Sequence, residues 1–244
     1  MPAIWNPTLS TASSEFRIGA DARPLTVVRS RAARRMRLSV DPRNGTIRLS
    51  LPARAGLKAA LVWVEAQRPW IERQLGRLPA PRPILPGAEI ALGDELLAVD
   101  WAADRPRAVR RDGSRLVVGG PEDALSGRVL RWLKREALDV LSRESREFAA
   151  QAGVEIGRIG VGDPRSRWGS CAAGGDIRYS WRLIMAPAFV RRATVAHEVA
   201  HRVHMNHGPA FHALVADLLG SDPAPARQWL RVNGAALHWV GRGS

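Results

Sequence analysis

His197-Glu198-Val199-Ala200-His201, with His207 six residues further on, is the stretch whose reading decides the fold of this chain. Residues four apart share one face of a helix. His197 and His201 can therefore grip one metal ion while Glu198 acts on a water beside it. The pattern is short, so its surroundings must carry the reading. Val195, Ala196, Val199, Ala200 and Val203 make the segment apolar around most of its circumference, which predicts a buried helix. Two histidines and a glutamate inside such a helix need a partner, and one zinc ion per chain supplies it.

A catalytic zinc normally takes three protein ligands and keeps a fourth position open. No glutamate follows Glu198, which excludes a site completed by a downstream glutamate. Cys171 is the only cysteine, so an intrachain disulfide and a Cys-rich structural zinc site are both excluded. His207 ranks first as third ligand. Asn206 tolerates the left-handed conformation that ends a helix, and Gly208-Pro209 turn the chain back. His204 ranks second, because it lies about 10.5 Å along the helix axis from His197 at 1.5 Å per residue. Asp217 ranks third, and is also a candidate to orient a ligand imidazole. His212 reads as a helix-surface group or one behind the ligands, and His238, beside Trp239, as C-terminal packing.

Such a site lowers the pKa of water, with Glu198 as general base and later as proton donor to the leaving group. Tyr179, Arg182, His204 and Asn206 are the candidates for a second oxyanion donor. Cys171 is either a zinc-proximal thiol or a small core residue, and the second reading is preferred.

The chain has 244 residues and a formal net charge of +14. That charge suits an acidic partner, a nucleotide or nucleic acid. Arginine supplies all of the basic residues except Lys58 and Lys134, a skew that genome composition alone can produce. Arg29, Arg31, Arg34, Arg35 and Arg37 do cluster. No secretory signal and no membrane-length apolar run is present, so a cytoplasmic protein without a membrane partner is expected.

The fold class read from the pattern is α+β. Residues 1–22 are polar and without period, and are read as unordered. Residues 23–120 are read as β-rich with one kinked helix. Met36, Leu38 and Val40 face Ile47, Leu49 and Leu51 across a turn at 41–45. Leu57, Leu61, Val64, Ile71 and Leu75 mark a helix divided at Pro69. Glu95–Trp101 and Arg115–Val118 suggest a second hairpin through Asp112-Gly113. Residues 121–244 are read as the catalytic core: a long helix ending at Gly153, then a small antiparallel sheet formed as a meander. After it come the HExxH helix and further helices opened at Pro209 and Asp222-Pro223. No internal sequence repeat is found.

Arg167-Trp168-Gly169-Ser170-Cys171, Trp181-Arg182-Leu183-Ile184, the HExxH segment and Asn206-His207-Gly208-Pro209-Ala210-Phe211 together resemble the YgjP-like metallopeptidase family, which are SprT-like zincins. The last segment also resembles the H-G-P-x-F stretch of SprT-type proteases, where the histidine is the third zinc ligand. The resemblance implies His197, His201 and His207 as ligands, Glu198 as general base, and a strand at Trp168–Cys171 beside the zinc helix. It extends over about residues 25–240, with Pro69-Trp70-Ile71 where the family often has D-W-I. Gly208 and His212 depart from the family's usual residues, and neither change removes a ligand.

A zinc-dependent peptidase acting on polypeptides is the first functional expectation. A metal-dependent phosphoanhydride hydrolase is the alternative, drawing on Arg165, Arg167, Arg178, Arg182, Arg191 and Arg192. A DNA-associated SprT-like protease is the third, and a non-catalytic zinc fold, which would have no use for Glu198, is the last.

Overall fold

In the computed structural model the described residues are 9–11, 17–18, 23–164 and 166–243. They form an α+β fold of two compact units, Met1–Ala80 and Pro81–Ser244. The expectation of an unordered 1–22 falls mostly outside the described residues. Within that span β1 (Leu9–Thr11) and β2 (Arg17–Ile18) both pair antiparallel with β3 (Arg23–Ser30).

In the first unit β3 runs parallel to β5 (Ile47–Pro52), and β4 (Arg37–Val40) pairs antiparallel with β5. The expected hairpin is thus present. Alternation puts Leu25, Val27, Ile47, Leu49 and Leu51 on one face. They pack against Ala60 and Val64 of α1 (Leu57–Ala66) and Ile71 of α2 (Arg68–Leu75). Pro69 divides the two helices because it stands in the first turn of α2, where its missing N–H leaves no helical bond unmade.

The second unit opens with β6 (Glu89–Leu92), β7 (Glu95–Ala102), β8 (Arg110–Asp112) and β9 (Arg115–Gly119), in the order β6-β7-β9-β8. The expected hairpin between 95–101 and 115–118 needs correction. β7 and β9 are parallel neighbours, and the Asp112-Gly113 turn instead joins β8 to β9. The buried residues of this sheet share one core with the helices that follow. Packing therefore groups 81–119 with the helices that carry the HExxH segment and His207, whereas the change of sequence character falls at Pro121.

α3 (Leu125–Ala152) buries the stripe Leu125, Val129, Leu133, Ala137, Leu141 and Phe148, and ends at Gly153 with φ +65°, a conformation that glycine adopts without strain. The small sheet comprises β10 (Ile159–Gly162), β11 (Gly169–Cys171) and β12 (Ile177–Ser180). It is mixed rather than an antiparallel meander: β12 pairs parallel with β10 and antiparallel with β11. A 3-10 segment, Trp181–Met185, leads into α4 (Ala188–Ala200), followed by α5 (Pro209–Leu219) and α6 (Ala224–Leu237). No helix among the described residues is long and apolar enough to cross a membrane.

Candidate metal centre

α4 is held at its start by the β6–β7 turn. The Gly93 N–H donates to the Ile184 carbonyl at 2.8 Å, and the Asp94 carboxylate accepts from the Ala188 N–H at 3.3 Å. Further along, Arg191 forks onto Glu144 of α3 with bonds of 2.9 and 3.1 Å, both side chains being buried or nearly so. Val190, Ala193, Val195, Ala196, Val199 and Ala200 are buried, as the apolar pattern of the helix predicts. Val203 is the exception. The helix ends before it, and it is 47% exposed.

His197 lies on the last turn of α4, and His201 follows it in right-handed helical conformation. The chain then turns and delivers His207 just ahead of α5. The donor atoms of His197, His201 and His207 lie within 4.8 Å of one another. The Nε2 atoms of His197 and His207 are 3.1 Å apart. Two nitrogens each about 2.0–2.1 Å from a tetrahedral ion would stand about 3.3–3.4 Å apart, so the trio fits a small divalent cation. Burial first, then the neighbouring imidazoles, push the His197 pKa down to about 4. His201 is lowered too, chiefly by burial. The His197 ring is therefore neutral, as a ligand must be, well into the acid range, and His201 is shifted in the same direction. The His201 Nδ1 lies 3.2 Å from the His204 carbonyl, which fixes its tautomer and leaves Nε2 for a metal.

Phe211 was not singled out as a site residue by sequence reasoning. It is fully buried, and its ring centroid lies 4.7–4.8 Å from those of all three histidines. Its position four residues after His207 on α5 is the signal that would have found it.

Glu198 is 5% exposed, and burial raises its pKa to about 7 against a smaller opposing pull from Arg167. Gly169 of β11 lies directly against it. A Cβ at that position would come 2.5 Å from Glu198 Oε1, so only glycine fits. A cavity of about 280 Å³ opens beside His197 and Glu198. Trp168, Ala193, Val215, Ala226 and Leu230 supply its apolar wall, with Arg167 and Arg227 among its lining. Trp168 closes one side by packing on Gly234 of α6, where a Cβ would meet the indole at 2.7 Å.

The remaining expected residues have other surroundings. Tyr179 is fully buried, and its hydroxyl shares a 3.0 Å hydrogen bond with Ser145. Arg182 is buried and binds Asp163 through Nε at 2.8 Å and Nη2 at 3.0 Å, while Nη1 donates to the Leu237 carbonyl at 2.6 Å. These bonds engage every nitrogen of its guanidinium, Nε and Nη2 with Asp163 and Nη1 with the C-terminal segment. His204 contributes its carbonyl rather than its ring. Asn206 and Asp217 are exposed, and Asp217 stands outside the histidine cluster. Cys171 also stands outside that cluster. Its thiol donates to the Ala172 carbonyl at 3.5 Å, and burial raises its pKa.

The six arginines near the motif divide. Arg182, Arg191 and Arg192 are committed to Asp163, Glu144 and Glu147. Arg178 lines a separate concavity with Cys171, and Arg165 lies outside the described residues. Of the five described, Arg167 alone lines the cavity beside Glu198.

A helix that brings histidines and a buried carboxylate against a small sheet, with a third histidine returned by the following turn, defines a metal-dependent peptidase of the zincin type. The chain belongs to the YgjP-like metallopeptidase domain family, whose model matches residues 34–233. No curated protein and no solved structure matches it.

Proposed function

We propose that this chain is a zinc-dependent peptidase in which His197, His201 and His207 hold the ion and Glu198 is the general base. The observation that carries the proposal is the convergence of three imidazole nitrogens, a buried carboxylate and a sheet edge at one place. A set of three imidazoles suits zinc. Bound there, the ion would supply Lewis acidity toward a carbonyl and toward water.

Glu198 does the proton work. One carboxylate oxygen takes the proton of the attacking water and returns it to the leaving amine nitrogen as the C–N bond breaks. A pKa near 7 suits both halves of that cycle at neutral pH. β11 is the edge strand of its sheet, and it passes directly by Glu198. Its unpaired side is a template for an extended polypeptide. The apolar cavity would take a substrate side chain next to the scissile bond, with Arg167 beside the developing negative charge.

The phosphoanhydride alternative is weakened by the commitment of Arg182, Arg191 and Arg192 to carboxylates. The test is a paired assay of wild type and Glu198→Gln on casein and on nucleoside triphosphates, with metal analysis of both proteins. Casein hydrolysis is expected to fall about 10²–10⁴-fold with zinc content unchanged. Equal turnover by the variant would sink the mechanism. Cleavage of triphosphates alone, dependent on Glu198, would sink the peptidase reading.

A further inference from the structure

Arginine is abundant throughout the chain, but its neutralisation is not. Pro81–Ser244 carries twenty-three basic and eighteen acidic residues, and Met1–Ala80 carries fourteen basic and five acidic. A genome-wide preference for arginine would raise the basic count in both units without removing carboxylates from one of them. In the first unit Arg68 pairs with Glu65, and Arg29 binds the Ala53 and Ala55 carbonyls. Arg31, Arg34, Arg35, Arg37 and Arg48 are all exposed, and no carboxylate or carbonyl holds them among the described residues.

The sheet organises these charges. One face of β3-β5-β4 is buried under α1 and α2. On the other, register sets Val28, Ser50 and Arg37 in one row and Thr26, Arg48 and Ser39 in the next. A concavity of about 560 Å³ lies on this outer face, with Val28, Ser30 and Ser50 as its floor and Arg35, Arg37 and Arg48 around it. Arginine forks and serine hydroxyls are the groups that contact phosphate oxygens. Among the described residues no aromatic side chain lines the concavity, so they offer no stacking platform of the kind that single strands use.

We propose that this face binds the phosphodiester backbone of a duplex nucleic acid, independently of base sequence. The proposal does not depend on the peptidase reading, because no residue in it belongs to the metal centre. A duplex keeps its base faces stacked inside and lines its outside with phosphates, which matches a surface whose described residues are arginines and hydroxyls without aromatics.

The test uses the full-length protein and fluorescence anisotropy with a 20-base-pair RNA duplex and the DNA duplex of the same sequence. Both are expected to bind, with affinity falling steeply between 50 and 200 mM salt. Each backbone contact contributes a slope of about 0.9 in log affinity against log salt, or roughly tenfold in affinity at 0.1 M. Replacing Arg35, Arg37 and Arg48 together by Ala should weaken binding at least a hundredfold and reduce the slope by about 2–3. Circular dichroism and casein hydrolysis should stay at wild-type level, showing that these surface changes leave the fold intact. Arg128, Arg131 and Arg135, a basic patch on α3, provide the comparison, and replacing them by Ala should change binding severalfold at most. Equal losses from the two triple variants would mean that net charge alone is read, and would overturn the proposal. Failure of the wild type to bind either duplex at 50 mM salt would do the same. So would arginine-dependent binding to phosphatidylserine vesicles in place of the duplexes.

Discussion

Two sheets of this molecule share one plan. In β1-β3-β5-β4 and in β6-β7-β9-β8 the central pair is parallel and each outer strand is antiparallel to its neighbour. Their surroundings differ. Arg105, Arg111 and Arg115 of the second sheet are answered by Asp100, Asp112 and Glu95. Arg35, Arg37 and Arg48 on the outer face of the first have no such answer among the described residues. The second sheet also shares its core with α3 and α4, and its Gly93-Asp94 turn holds the entrance to the metal helix. The same strand order therefore serves as scaffold in one unit and as a presented surface in the other. The placement of carboxylates, rather than topology, makes the difference.

The sharpest way to break this contrast is to remove a carboxylate from the compensated half. Glu144→Gln leaves Arg191 buried without its partner, and should destabilise the fold by about 3–5 kcal/mol in denaturant titrations. A loss under 1 kcal/mol would show that Arg191 finds water instead.

The next effect is a dependence on pH in metal-free protein. The Glu198 pKa is raised on folding, so the folded state binds extra protons between about 4.5 and 7 and loses stability as pH rises through that window. The His197 pKa is lowered to about 4, so the unfolded state binds extra protons up to about 6.5, and stability rises with pH there. The two slopes oppose each other. Glu198→Gln removes one of them, and the variant should gain stability from pH 4.5 to 6.5 more steeply than wild type, by up to about 1.4 kcal/mol per pH unit. Parallel curves from chelator-treated samples would contradict this assignment.

Gly169→Ala comes third. The added methyl displaces Glu198, and kcat should fall at least about tenfold, equivalent to about 1.4 kcal/mol in the barrier, with bound metal retained. Glu65→Gln comes last. Its exposed pair with Arg68 should be worth about 0.2–1 kcal/mol, and a larger loss would erase the contrast between the two units.

Features set by neighbours in sequence were legible beforehand. The histidine spacing, the turn before α5, the break at Pro69 and the glycine end of α3 all follow local rules. Features set by distant partners were not. Arg182 is held by Leu237, and Tyr179 by Ser145, residues whose proximity no local pattern encodes. The parallel pairing of β7 with β9 escaped for a related reason. β8 is short and exposed along its length, so it lacks the apolar alternation that marks a strand. Phe211 escaped because an apolar residue on a helix reads as core, and here the core it fills is the underside of three imidazoles.

The three donor histidines lie within eleven consecutive residues, 197 to 207. An ion bound there closes one short loop, already bent by a helix end and a turn, so it removes little freedom from the unfolded chain. Neither the large core of Pro81–Ser244 nor the sheet of Met1–Ala80 hangs on that closure. On the proposed ligand set, the metal would be an exchangeable part of the machine rather than one of its beams. Chelation should then switch peptidase activity off and added zinc restore it, with the circular dichroism spectrum unchanged throughout.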